Sequence, residues 1–209
     1  YLWHHQTAKR IAEHNPNAKI LVTLRHPVKR AFSHYLMAKS VGYDHSTSFE
    51  KAIEAPIKPH WGGGNAYLEW SAYAGPLQAY YDAFPAHQIK VLFFEHWIKN
   101  QESTMNQVAS FLDLSPFDGF DLADQHNLTM SYKHQKTLNF FRVKWARTVL
   151  HGLFSEPLRN SAKAILFGGK PTEETLPLML QQKMESKFEA EARLIEQLTG
   201  RSLKDLWGF

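Results

Sequence analysis

The sequence predicts an α/β fold in which a short parallel sheet is flanked by helices and the C-terminal half is rich in helix. Two apolar runs have the length and the β-branched or aromatic composition of buried strands. The first run leads directly into a helical pattern that begins at a proline. The second half of the chain shows long stretches of helical periodicity instead of strand-like runs.

The elements of the first half can be justified in order. A helical pattern over Leu2–His14 ends at Asn15-Pro16, and the apolar run Ala18–Leu24 predicts a first strand that is buried on both faces. Pro27 then occupies a favourable first position of a helix. The apolar stripe of this helix recurs at helical spacing, on Val28, Ala31, Phe32, Tyr35 and Leu36.

A long surface loop is predicted over Val41–Ser71. Within it, Thr47-Ser48-Phe49-Glu50 can start a short helix through a capping box, but prolines and Gly62-Gly63-Gly64 interrupt the pattern around it. Helical spacing resumes over Pro76–Phe84, and the run Gln88–Glu95 predicts a second strand.

Helices are predicted for most of the remaining chain. The segments with helical spacing are Glu102–Leu114, Thr137–Phe154, Pro157–Phe167 and Leu176–Thr199. Gly200 is predicted to cap the last of them. Because no internal repeat or composition break divides the 209 residues, we expect a single domain over residues 1–209.

Composition limits the classes of function. Hydrophobic residues make up 44% and charged residues 21%, which excludes a disordered or fibrous chain. The net charge of +4 suits an anionic ligand and does not indicate nucleic acid. The absence of cysteine excludes disulfides and favours a cytoplasmic location. No apolar run reaches the ~18 residues of a membrane span, and the histidines lack metal-binding spacing, so we predict no metal site.

Arg25 stands where the first predicted strand ends and its helix begins. Ligands of such sheets bind at the carboxyl ends of the strands, and the unpaired N–H groups at the start of a helix attract anions. The guanidinium matches phosphate or sulfate oxygens, and Ser33, beside the buried stripe, can add a hydroxyl. An arginine after a strand is also commonly solvated or ion-paired, so this pattern leaves both interpretations open.

The segment Leu24–Tyr35, LRHPVKRAFSHY, resembles the LR-x-PV-x-RA-x-S-x-Y segment of sulfotransferases that use 3′-phosphoadenosine 5′-phosphosulfate (PAPS). Phe84–Glu95 resembles the family's FP-x-x-Q-I-x-V-L-x-x-E strand, and Phe111–Leu114 its FLGL. The closing segment with Trp207 is also similar to bacterial sulfotransferase-domain and heparan-type members. The resemblance covers almost the whole chain and implies a P-loop-kinase-like sulfotransferase architecture.

The resemblance also implies residue roles. Arg25 and Ser33 would hold the 3′-phosphate of the donor, and Lys170 would contact the donor from a basic loop. Glu95, at the end of the second strand, is expected to have a structural hydrogen-bonding role. The family's tyrosine in a G-x-Y segment is replaced here by Leu77, and Tyr80 or Tyr81 is an alternative.

The activity implied by the resemblance is sulfuryl transfer from PAPS, without a metal, by a nucleotide-binding enzyme of bacterial type. The acceptor would be a hydroxyl or amine of a small molecule or carbohydrate. The family's 5′-phosphosulfate loop, catalytic lysine and general base have no counterpart in the sequence, and we expect them upstream of Tyr1. No catalytic residue is therefore assigned.

Two other classes of function remain open at this stage. One is a non-catalytic binding module that retains an anion pocket. The other is a kinase-like phosphotransferase, which would need a Walker loop. The segment Gly168-Gly169-Lys170 does not supply one, because Pro171 follows the lysine where a Walker loop has Ser or Thr.

Overall fold

The structure is a computed structural model that describes residues 2–3, 6–40, 43–55, 66–116, 130–131, 170–171 and 174–208. Two compact units are present. The first comprises Tyr1–Arg30, Leu68–Gln125 and Pro177–Phe209, and the second comprises Ala31–Tyr67 and His126–Leu176. The single domain over residues 1–209 stays a prediction, and the predicted helices Thr137–Phe154 and Pro157–Phe167 lie outside the described residues.

The predicted helices and strands that fall on described residues are present in the predicted order, and several short helices and two two-residue strands were not predicted. In chain order they are α1 (Thr7–His14), β1 (Ile20–Leu24), α2 (Pro27–Ser40), α3 (Phe49–Glu54), α4 (Ala66–Glu69), α5 (Ala74–Ala83), a 3-10 turn (Ala86–Gln88), β2 (Ile89–Phe93), α6 (Phe94–Trp97), α7 (Gln101–Phe111), β3 (Met130–Ser131), β4 (Lys170–Pro171), α8 (Leu178–Thr199) and α9 (Lys204–Trp207).

The sheet of the first unit is parallel, as predicted. β1 pairs with β2 in a register that runs from Ile20 opposite Ile89 to Leu24 opposite Phe93. The prediction that β1 is buried on both faces is wrong for the described residues, because Leu21 is 44% exposed while Leu24 is fully buried. One face of β1 packs into the core, and no described element covers the other.

The core of the first unit lies between the sheet and three helices. α5 packs against both α1 and α8. The buried stripe of α8 has helical spacing and consists of Met184, Phe188, Ala192 and Ile195. Ala192 and Ile195 of this stripe lie in the core cluster of the unit. Burying a large aliphatic side chain contributes about 1.5–3 kcal/mol, so Ile195 is a main attachment of α8 to this core. Glu191 adds a polar attachment, because its carboxylate accepts the Ala74 N–H at 2.9 Å, at the start of α5.

The second unit contains an aromatic cluster that corrects the predicted surface loop. Phe49 is 2% exposed and Tyr67 is fully buried, although both lie within the segment predicted to be a surface loop. The Phe49 ring packs edge-on against Phe32 at a centroid distance of 5.3 Å, and the Tyr67 hydroxyl donates to Asp44 at 2.7 Å. These buried contacts fold both ends of the segment, while residues 56–65 lie outside the described residues.

The predicted helix start in this segment is displaced by one residue. Ser48, and not Thr47, is the N-cap of α3, and its hydroxyl accepts the Lys51 N–H at 3.3 Å.

Two glycines of the first unit are expected to respond to alanine with opposite signs. Gly200 ends α8 with φ of 66°, a left-handed conformation that disfavours a Cβ atom, so Gly200→Ala should cost about 1 kcal/mol of stability. Gly75 lies in α5 without positive φ, and a Cβ atom there meets nothing within 4 Å. Gly75→Ala should therefore stabilise by about 0.4–1 kcal/mol. Urea unfolding of both variants measures the pair, and an equal sign for both would contradict this assignment.

Candidate functional site

Arg25 occupies the turn between β1 and α2, at the carboxyl edge of the parallel sheet. Its half-buried guanidinium lies over the Phe94 ring, with 4.8 Å between the guanidinium carbon and the ring centroid. Phe94 follows β2 directly, so the ends of the two strands supply both members of this cation–π pair.

The guanidinium of Arg25 has no protein acceptor within the described ranges. Its Nε atom is buried without a hydrogen-bond partner, and neither a hydrogen bond nor a salt bridge joins the guanidinium to another described residue. A half-buried arginine normally has its donors satisfied. The side chain therefore has capacity for an acceptor that the protein does not provide, such as the oxygens of a phosphate.

Glu95 pairs with the backbone N–H of the residue that precedes α2. The backbone N–H of His26 donates to Oε1 of Glu95 at 2.9 Å, and Nε1–H of Trp207 donates to Oε2 of the same carboxylate at 3.1 Å. The N–H groups within the first turn of α2, on Val28 and Lys29, are not the ones that Glu95 accepts, and their role towards an anion stays a prediction. The expected structural role of Glu95 is confirmed.

The His26 ring is held from the other side by α8. His26 is 1% exposed, and its Nε2 lies 3.0 Å from Oε1 of Glu185, which also accepts from Gln181 at 2.7 Å. Burial lowers the pKa of His26 and Lys29 lowers it further, against the opposing effects of Glu185 and Glu95. The ring is therefore neutral at pH 7, with its proton on Nε2 where it donates to Glu185.

Acid should destabilise the protein through His26. Because its pKa in the folded state is below the ordinary value of 6.5, its contribution is complete above about pH 6.5 and is lost as the pH falls through the folded-state pKa. We expect His26→Gln, whose amide can still donate to Glu185, to lose less stability than wild type between pH 7 and pH 5. Urea unfolding across this range measures the slope, and identical slopes for the two proteins would reject the assignment.

Tyr73 is a residue of this site that the sequence reasoning missed. It is 5% exposed, and its hydroxyl lies close enough to Arg25 for the charge and backbone of that residue to affect its pKa. Burial raises the pKa of Tyr73 to about 12, although the nearby charges of Arg30 and Arg25 lower it. Leu77 and Tyr80, which the family comparison had singled out, lie in the core instead. The sequence feature that could have indicated Tyr73 is its position as an aromatic residue immediately before α5.

The other two predicted donor contacts lie in the second unit. Ser33 is a half-buried residue of α2, and Lys170 belongs to β4, where its backbone pairs with Ser131 of β3 in an antiparallel register. Their roles as donor ligands stay predictions. In the described part of the chain, no helix is long and apolar enough to cross a membrane, and no three potential metal ligands cluster.

The fold and this edge define an α/β protein in which a parallel sheet presents, at the carboxyl ends of its strands, an arginine without an acceptor among the described residues. Residues 2–119, more than half of the chain, match the profile of the Sulfotransferase family. The protein therefore belongs to the sulfotransferase family, as the resemblance of its motifs indicated.

A solved structure supports the predicted fold class. The crystal structure of a sulfotransferase from Alicyclobacillus acidocaldarius is similar over 100% of this chain, with a TM-score of 0.65 and 21% sequence identity. The chain spans 65% of the length of that structure. At this identity the likeness shows the fold, and it confirms the helix-rich α/β architecture with a short parallel sheet. No curated protein sequence matches the chain.

Proposed function

We propose that the protein binds PAPS, with Arg25 and Ser33 as ligands of the 3′-phosphate, and transfers the sulfuryl group to a hydroxyl or amine of an acceptor. The observation that carries the proposal is the Arg25 guanidinium, which packs on Phe94 and has no acceptor among the described residues. Membership of the sulfotransferase family supports the transfer. The resemblance of the closing segment to heparan-type members favours a carbohydrate acceptor.

The environment of Arg25 suits a phosphate more than a neutral ligand. The Phe94 ring fixes one face of the guanidinium and leaves its edge, which is the part that donates two parallel hydrogen bonds to phosphate oxygens. The positive end of the α2 dipole lies next to this group. Glu95 is the nearby opposing charge, and its two oxygens are already occupied by N–H donors.

The proposed reaction has two parts, binding of the donor and transfer of its sulfuryl group. The acceptor oxygen or nitrogen attacks the sulfur, the bond from sulfur to the bridging oxygen of the 5′-phosphate breaks, and a base removes the acceptor proton. 3′-Phosphoadenosine 5′-phosphate (PAP) leaves with the electron pair. Arg25 would act by holding the donor in register for this step. Lys170 is a further proposed donor contact, and no catalytic residue is assigned.

Calorimetric titration with PAP and with adenosine 5′-phosphate (AMP) tests the proposal. The two nucleotides differ only in the 3′-phosphate, so we expect PAP to bind at least ~10-fold more tightly. Equal affinities would show that no 3′-phosphate site exists and would overturn the proposed donor. The alternative of a non-catalytic binding module predicts the same preference for PAP but no sulfuryl transfer from PAPS to any acceptor of a carbohydrate, phenol and amine panel.

A further inference from the structure

We infer that Trp207 is a positioning residue of the donor site: its hydrogen bond holds the Glu95 carboxylate in an orientation that keeps it from pairing with the Arg25 guanidinium, and so leaves the guanidinium to a phosphate. The inference rests on the proposed function. It assigns a role to Trp207 of α9, a residue 112 positions from Glu95 in the sequence.

Two consecutive residues of α6 contact two consecutive residues of the turn after β1. Phe94 lies under the guanidinium of Arg25, and Glu95 accepts the backbone N–H of His26. Each charged residue is thus the sequence neighbour of a residue that the other one contacts: Arg25 precedes His26, and Glu95 follows Phe94. A carboxylate so placed is the natural ion-pair partner of an arginine, and yet no ion pair joins Glu95 to Arg25.

Sequence neighbours bring the two charges into the same part of the site: the guanidinium of Arg25 packs on Phe94, next to Glu95, and Glu95 accepts the N–H of His26, next to Arg25. In agreement, Arg25 lowers and Glu95 raises the pKa of the buried Tyr73 hydroxyl. The Glu95 carboxylate is thus placed to turn towards the guanidinium if one of its oxygens is released. Its Oε1 is held by the backbone, so Oε2, which Trp207 holds at 3.1 Å, is the oxygen that could be released.

Trp207 is itself well fixed. It is 4% exposed, and its ring meets Phe93 edge-on at a centroid distance of 5.8 Å and lies 6.3 Å from the His26 ring. A Trp207→Phe variant retains an aromatic ring in this position and loses the indole N–H. The substitution therefore isolates the hydrogen bond to Glu95 from most of the packing.

The test compares PAP and AMP affinities of wild type, Trp207→Phe, and the double variant Trp207→Phe/Glu95→Gln. Releasing Oε2 in the single variant should allow Glu95 to compete with the 3′-phosphate, so we expect PAP to bind on the order of 10-fold more weakly, with AMP changed less than about 2-fold. In the double variant the neutral amide cannot form an ion pair, and its oxygen still accepts from His26. We expect PAP affinity to return to within about 3-fold of wild type.

A core variant provides the matched control. Ile195 is 1% exposed in the same unit, and Ile195→Val should lower stability without changing the ratio of PAP to AMP affinity. If Trp207→Phe leaves that ratio at the wild-type value, or if Glu95→Gln deepens its defect instead of relieving it, Trp207 has a structural role only and the inference is wrong. If wild type itself does not prefer PAP to AMP, the proposed function fails, and the inference fails with it.

Discussion

Replacing Arg25 by alanine is expected to weaken PAP binding by roughly 30-fold, which corresponds to about 2 kcal/mol. The side chain would supply charge-assisted hydrogen bonds to the 3′-phosphate, and no other described residue competes for them. AMP binding should change little, because AMP lacks the group that Arg25 contacts. Calorimetry with both nucleotides measures the effect, and an unchanged PAP affinity would remove Arg25 from the donor site.

Two further variants separate the geometry of the guanidinium from its charge. Arg201 is exposed in the same unit, so Arg201→Ala removes the same charge from a surface position and should change PAP affinity by less than about 2-fold. Arg25→Lys retains the charge but loses the planar pair of donors and the stacking on Phe94. We expect its PAP affinity to lie between those of wild type and Arg25→Ala.

Truncating Leu77 is expected to cause the largest loss of stability. Leu77 is fully buried in the core of the first unit, on α5, which packs against α1 and α8. Leu77→Ala removes buried methyl groups and leaves a cavity, at a cost of about 2–5 kcal/mol. The melting temperature should fall by several degrees, at roughly 2–4 °C for each kcal/mol. Thermal unfolding followed by circular dichroism measures the shift.

The same position tests why the family's tyrosine is absent here. Leu77→Tyr would add a ring and a hydroxyl to a filled core, and we expect a loss of about 1–3 kcal/mol. Leu194, on α8, is 49% exposed and provides the matched leucine, because Leu194→Ala should stay within about 0.5 kcal/mol of wild type. A Leu77→Ala variant as stable as Leu194→Ala would contradict the assignment of Leu77 to the core.

The alternatives for the missing tyrosine show the limit of motif comparison. Comparison along the chain pointed to Tyr80 or Tyr81, because they follow Leu77 closely. In the structure the α5 periodicity turns Tyr80 into the core, where its ring stacks on Phe84. Tyr73, immediately before α5, is the tyrosine that reaches Arg25. The direction of each side chain around the helix start decides this, and the motif does not contain that information.

Local signals in the sequence were sufficient to predict the main elements of the first unit and the place of Arg25. The strands, the helix that begins at Pro27 and the Gly200 cap depend on side-chain period, on the fixed φ of proline and on the left-handed freedom of glycine. Each of these is a property of a few consecutive residues. The parallel pairing was predicted from the two apolar runs and is confirmed, although Leu21 leaves one face of β1 exposed.

Tertiary structure alone decided which groups surround Arg25. Glu95 and Trp207 come from distant parts of the chain, and the contact between them required the C-terminal helix to pack beside the sheet. Glu95 also accepts the His26 N–H, so that group is not open to a ligand, and the Arg25 guanidinium has no acceptor among the described residues. Buried N–H groups and carboxylates need hydrogen-bond partners, and in the packed chain they find these partners in distant segments. The spacing of residues along the sequence does not indicate which distant groups will pair.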